Sequence, residues 1–258
     1  MRTEQEMLNL ILNIGKNDER IRAVFMNGSR TNPNAKKDIF QDYDIVYVVE
    51  ETKSFREQKN WIDQFGERLY MQYPEENANY QNDVENCYGW LIQFADGNRL
   101  DLHVCTLSHV LKEIEEDRLC RILLDKDKCL PNMPEETDKD HWIKKPTERQ
   151  FFDTCNEYWW SLNNIAKGLW REEVPYVMDM LNYCARPQLI RLIEWEIGFQ
   201  TNFTISIGKS GKNMYKWLDN EKWNAFLKTY PSGNVKDIWE SVFIMCDLFV
   251  SVKKLTDR

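Results

Sequence analysis

The sequence predicts an α+β protein: a mixed β-sheet with flanking helices in an N-terminal domain, followed by an all-helical C-terminal domain. Three observations carry this. β-rich runs at 21–29, 43–49 and 88–107 all lie in the first half of the 258 residues. The stretch "DKDKCLPNMPEETDKDHWIKKP" (125–146) has three Pro, many charges and little periodicity, as a connection between domains does. From 147 onward, apolar residues recur at helical spacing. The expected domains are therefore 1–135 and 136–258.

The elements follow in order. Met7, Leu8, Leu10, Ile11 and Ile14 predict an amphipathic helix over 3–16, with Gly15 near its end. "IRAVFMNGS" (21–29) reads as a strand entering a turn, and Asn32-Pro33 lies in a loop over 30–41. "YDIVYVV" (43–49) is dense in β-branched and aromatic residues and reads as a buried strand. Phe55, Trp61, Ile62, Phe65, Leu69 and Tyr70 predict a helix over 54–72. In "YGWLIQFADGNRLDLHVCTL" (88–107), two β-rich runs flank Asp96-Gly97-Asn98, a hairpin turn signal. A helix over 107–118 and a short strand, "CRILLD" (120–125), complete the first half. Helices are expected at 147–168, 173–199, 213–228 and 235–255.

Composition excludes several function classes. Hydrophobic residues make up 42% and aromatics 13%, enough for packed cores and contrary to disorder. The balance of 34 basic against 42 acidic residues gives a net charge of -8, a poor basis for binding DNA or RNA. No uncharged apolar run approaches the roughly 20 residues of a membrane span. The N-terminal "MRTEQEMLNLIL" lacks the apolar core of a signal peptide. Seven scattered Cys with no C-x-x-C pair point to reduced thiols in the cytoplasm rather than to structural zinc. The three His form no H-x-x-x-H pair, so histidine-based metal or triad chemistry is disfavoured.

The chemistry concentrates in "FMNGSRTNPNAKKDIFQDYDIVYVV" (25–49). Residues two apart on a strand project to the same face, so Asp42 and Asp44 would point together. Two such carboxylates repel each other unless a cation sits between them. Hard oxygen ligands suit Mg²⁺, which completes its shell with water and phosphate oxygens. Asp101 in "RLDLHV" is an acid in an apolar strand pattern, and a third carboxylate would allow two ions to share the site. Gly28-Ser29 offers backbone N–H groups and a hydroxyl to a phosphate, with Arg30 adding charge. Each has a blander reading. A lone D-x-D is commonly a turn or capping device, Arg30 a solvated charge, and Asp101 an edge-strand partner of Arg99.

Strand, Gly-Ser turn, D-x-D and later strand acid, in this order, resemble the nucleotidyltransferase superfamily. "FMNGSRTN", "FQDYDIVYVV", "LDLHV" and "AKGLWREE" narrow the resemblance to the aminoglycoside 6-adenylyltransferases, along essentially the whole chain. The resemblance implies a nucleotidyltransferase domain whose Asp42, Asp44 and Asp101 hold Mg²⁺ and whose Gly28 and Ser29 bind the triphosphate. It implies ATP and a cationic aminoglycoside as substrates. A streptomycin hydroxyl would attack the α-phosphorus and release pyrophosphate, conferring antibiotic resistance. Asp101 would be either the base or a metal ligand alone. Two alternatives stay open: a nucleotidyltransferase acting on another small molecule, and a non-catalytic nucleotide-binding regulatory module. A monomer is the favoured assembly.

In the helical half, Glu172, Glu173 and Asp179 would line a cleft for a polycation, and Trp170 would offer a flat face to a sugar ring. The bland alternative for Glu172 and Glu173 is the acid preference of a helix N-terminus before Pro175. "ISIGKSGKNMYKWL" (205–218) carries Lys209 and Lys212 on a Gly-rich turn without Walker spacing. One of them would reach the ATP phosphates, with Lys167 a further candidate; the alternative is a solvated loop.

Overall fold

Strands β1 (Ile21–Asn27), β2 (Tyr43–Val49), β3 (Arg68–Gln72), β4 (Cys87–Phe94), β5 (Arg99–Thr106) and β6 (Arg121–Asp125) form one sheet in the order β3-β4-β5-β2-β1-β6. The computed structural model describes residues 1–133 and 137–256. β2 and β5 run parallel and the other neighbours antiparallel, so the sheet is mixed. The chain divides into two compact units, Met1–Asp140 and His141–Arg258. The expected boundary between 135 and 136 lies outside the described residues.

Strand alternation gives the sheet two apolar faces. On one, Val24, Ile45, Tyr47 and Leu102 pack with Met7 and Ile11 of α1 (Glu4–Asn17). This helix starts at a capping box in which Thr3 and Glu6 satisfy each other's backbone N–H groups. On the other face, Phe25, Val46, Val48 and Cys105 meet Val110 and Ile114 of α3 (Leu107–Glu116). Asp44 and Asp101 share this second face by their period of two, beyond the apolar cluster that α3 covers. The fold thus leaves a stretch of sheet surface for polar groups.

The helix expected over 54–72 is not formed. Lys53–Glu57 is a short helix, α2, and Trp61–Phe65 a 3₁₀ turn that Gly66 ends at φ 112°. Residues 68–72 then pair antiparallel with β4. Phe55, Trp61, Ile62 and Phe65 are buried, but Leu69 and Tyr70 are 66% and 69% exposed. Without a buried face to hold a helix, the backbone takes its hydrogen bonds from the free edge of β4.

The second unit is helical: α4 (Glu148–Trp170), α5 (Val174–Asp179), a π-helical segment (Met180–Ala185), α6 (Arg186–Gln200), α7 (Asn220–Lys228) and α8 (Val235–Thr256). Its core includes Ile165, Leu181, Leu189, Leu192 and Met245, and Tyr158 stacks on Phe249 with ring centroids 3.7 Å apart. The helix expected over 213–228 splits into a 3₁₀ turn (Met214–Lys216) and α7, because the Asp219 carboxylate accepts from the Lys222 N–H and starts a new helix. Among the described residues, no helix is long and apolar enough to cross a membrane.

Candidate active site

Register builds the site. Asp44 of β2 lies opposite Asp101 of β5 in the parallel pair, and opposite Asn27 of β1 on its other side. Asp42 precedes β2 by one residue, and the three acids each bring a carboxylate oxygen within 4.8 Å of the others. Arg99 answers part of this charge. Its Nε and a terminal nitrogen donate to the two oxygens of Asp101 at 2.8 and 2.7 Å, and its Nε lies 3.9 Å from Asp42. The side chain of Asp101 is 15% exposed and that of Arg99 49%, so the cation sits on the solvent side of the acids. The Arg99–Asp101 pair read from sequence as the bland alternative is therefore formed.

Among the described residues, Asp44 receives no such partner. Burial, then the charges of Asp42 and Asp101, push its carboxyl up to about 7. Three carboxylates this close hold a full negative charge only beside a cation. The hard, all-oxygen donor set fits Mg²⁺ better than a softer ion.

Gly28–Arg30 forms a 3₁₀ turn directly after β1. Gly28 has φ +76°, and a Cβ there would meet Asp44 Oδ2 at 2.0 Å. The turn and the acid thus fit together only with glycine. Gln41 donates to the carbonyl and the hydroxyl oxygen of Ser29, each at 3.2 Å. The buried Thr31 hydroxyl donates to the carbonyls of Gly28 (2.9 Å) and Leu119 (3.1 Å), which fixes the far end of the turn.

Arg30 is engaged locally. It donates to the carbonyls of Asp42 and Gln41, both at 2.9 Å, and its guanidinium carbon lies 3.7 Å from the centre of the Tyr43 ring. In this arrangement it fastens the 31–42 loop to the start of β2 and sets the backbone of Asp42.

Two further polar groups, His103 beside Asp101 on β5 and Glu75 against His103, were not singled out from sequence. His103 follows Asp101 on the same face of β5, with Nε2 3.6 Å from Glu75 Oε1. Glu75, from a 3₁₀ turn (Pro74–Glu76), also accepts the Gly89 N–H at 2.8 Å. Burial would raise the Glu75 carboxyl, but the hydrogen bond and charge of His103 hold it below its ordinary value. Burial would likewise lower His103, and Glu75 outweighs it. The i+2 spacing from Asp101 was the available signal for His103. Glu75 has no local signal, because only the strand pairing brings it near.

The remaining sequence candidates belong to the second unit. Lys167 lies in the last turn of α4 and is exposed, as are Glu173 and Asp179. Trp170 is 87% exposed. The end of α4 is a Schellman motif: the Glu172 N–H donates to the Leu169 carbonyl at 3.1 Å and the Glu173 N–H to the Gly168 carbonyl at 2.9 Å. Glu172 occupies its left-handed position with φ +57°, where glycine is usual. Neither acid caps α5 through its side chain at a described bond. Lys209 and Lys212 are exposed, the first within and the second directly after a turn in which Gly208, Ser210 and Gly211 all have positive φ.

The sequence profile described as Streptomycin adenylyltransferase matches residues 1–257. An aminoglycoside 6-adenylyltransferase of Bacillus subtilis (strain 168) is 39% identical over 259 residues, covering 98% of this chain and 90% of the relative. A Staphylococcus aureus protein of the same name is 36% identical, covering 96% and 89%. The crystal structure of an aminoglycoside 6-adenyltransferase from Bacillus subtilis is 35% identical, covering 99% and 90%, with a TM-score of 0.44.

Proposed function

Because the chain belongs to the streptomycin adenylyltransferase family, we propose that it transfers the adenylyl group of ATP to a hydroxyl of an aminoglycoside, streptomycin first among them, with release of pyrophosphate. The observation that carries this reading is the grouping of Asp42, Asp44 and Asp101 within 4.8 Å, beside a Gly28 turn whose missing Cβ makes room for Asp44. Modification of the drug would confer resistance. The acidic balance of -8 supports action on cationic small molecules rather than on nucleic acid, the scattered free thiols support a cytoplasmic location, and a monomer is the proposed assembly.

Asp42, Asp44 and Asp101 are the residues that would hold Mg²⁺, with oxygen donors enough for two ions. Bound there, Mg²⁺ supplies the positive charge that offsets the transferring phosphoryl group. Gly28 and Ser29 bring backbone N–H groups and a hydroxyl to the triphosphate. Lys167, Lys209 and Lys212 are the cations proposed to meet its oxygens from the helical unit, with Arg30 next to the turn. The drug hydroxyl oxygen bonds to the α-phosphorus as the bond to the bridging oxygen of the leaving pyrophosphate breaks. Asp101 takes the hydroxyl proton once Arg99 releases it, or serves as a metal ligand only. Glu172, Glu173 and Asp179 are proposed to pair with the drug's cationic groups, and Trp170 to stack against a sugar ring.

The test is incubation of the protein with ATP, Mg²⁺ and a panel of aminoglycosides, followed by mass analysis of the drugs and measurement of pyrophosphate. Adenylylated streptomycin is the expected product. Transfer to another small molecule alone would move the acceptor, and ATP binding without transfer to anything would favour a regulatory nucleotide-binding module.

A further inference from the structure

The sequence spacing of the cysteines gives no metal motif, yet the hairpin of β4 and β5 sets two of them face to face. Cys87 lies opposite Cys105, and their sulfurs are 3.0 Å apart. The neighbouring pair exchanges a ladder bond from the Thr106 N–H to the Asn86 carbonyl at 2.9 Å. Cys87 and Cys105 therefore form a non-hydrogen-bonded pair, the position at which side chains of antiparallel strands come closest. β5 passes directly into α3, whose first turn carries His109. A ring nitrogen of His109 and both sulfurs all lie within 4.8 Å of one another.

We propose that Cys87, Cys105 and His109 form a binding site for a thiophilic divalent metal ion, with Zn²⁺ as its probe. Two thiolates and an imidazole are the donors that zinc prefers, in contrast to the all-oxygen set of the three aspartates. Zn–S bonds of about 2.3 Å place two sulfurs of a tetrahedral centre roughly 3.8 Å apart, so a small change in side-chain torsion opens the pair around an ion. Cys105 is buried, whereas Cys87 and His109 are half-buried, which gives the ion a path in and a side open to water. Glu75 and His103 also bring donor atoms within 4.8 Å of Cys87 and of each other, so a fourth protein ligand is at hand. The ion would tie β4, β5 and the start of α3 together, and β5 is the strand that carries Asp101.

The experiment uses the full chain without a polyhistidine tag, reduced and stripped of metal, titrated with Co²⁺ and then Zn²⁺. The expected result is a thiolate-to-cobalt charge-transfer band that saturates at about one ion per chain and is bleached by zinc. Cys87→Ser and His109→Ala, both at half-buried positions, should weaken zinc binding about tenfold or more. Cys129→Ser and Asp42→Asn should leave the band intact, which separates this site from the carboxylates. Absence of a thiolate band in the reduced protein, or a band unchanged by Cys87→Ser, overturns the proposal. So does a protein that binds no cobalt after a Cys87–Cys105 disulfide has been reduced.

Discussion

Asp44 Oδ2 lies 2.0 Å from the point at which a side chain on Gly28 would begin. The turn after β1 and the acid of β2 are therefore packed against each other, and no side chain fits at Gly28 while Asp44 keeps its place. Gly28→Ala should cost about 1–2 kcal/mol for an alanine at positive φ, plus the displacement of Asp44. Denaturant melts should show the loss of stability, and adenylyl transfer should fall further than the stability loss explains. An alanine variant with unchanged turnover would separate the turn from the chemistry.

Asp44 gives a pH dependence of known sign. Its folded value of about 7 exceeds the ordinary carboxylate value near 3.8. The native state thus holds an extra proton between these values, and this group's contribution to stability falls as pH rises through that window. Asp44→Asn should flatten the stability profile between about pH 4 and pH 7 relative to wild type. In metal-free buffer above pH 7 the variant should melt higher. A variant profile parallel to wild type would mean that Asp44 ionises normally.

Arg99 occupies two of the carboxylate oxygens that a metal ion would need. Arg99→Gln removes a competing cation, so less Mg²⁺ should be required for half-maximal thermal stabilisation. Without Mg²⁺ the variant should melt lower than wild type, because three acids then face one another uncompensated. A higher Mg²⁺ requirement in the variant would show that Arg99 supports the ion rather than competes with it.

These predictions rest on groups of unequal legibility in the sequence. Asp42 and Asp44 were readable because a strand's period of two is a local property, and Gly28-Ser29 because the turn interrupts an apolar run. Asp101 was readable as an odd acid in an apolar strand, but its alignment with Asp44 depends on a parallel pairing that no local pattern specifies. Glu75 was hidden for the same reason, since its link to His103 passes through the sheet. β3 was misread as helix because its outward Leu69 and Tyr70 gave no buried face, and only the edge of β4 decides its conformation. The helical unit was legible in outline. The π-helical segment at Met180–Ala185 was not, as its apolar spacing continues that of its neighbours.

Glu172 holds a left-handed conformation that a glycine would adopt without strain. Glu172→Gly should raise stability by about 1 kcal/mol. If its carboxylate meets the drug, the same change should raise the KM for the aminoglycoside and leave that for ATP unaltered. A variant that is more stable with unchanged drug KM would remove Glu172 from the proposed drug site.

The central claim is that Asp42, Asp44 and Asp101 act together on a metal-bound nucleotide. The most direct measurement follows transfer of label from α-labelled ATP to streptomycin across a Mg²⁺ titration, for wild type and for Asp42→Asn, with circular dichroism to verify folding. The account predicts Mg²⁺-dependent labelling of the drug by wild type and background labelling by a folded Asp42→Asn. Labelling by the folded variant at the wild-type rate, or labelling by wild type that persists with all divalent ions chelated, would contradict it.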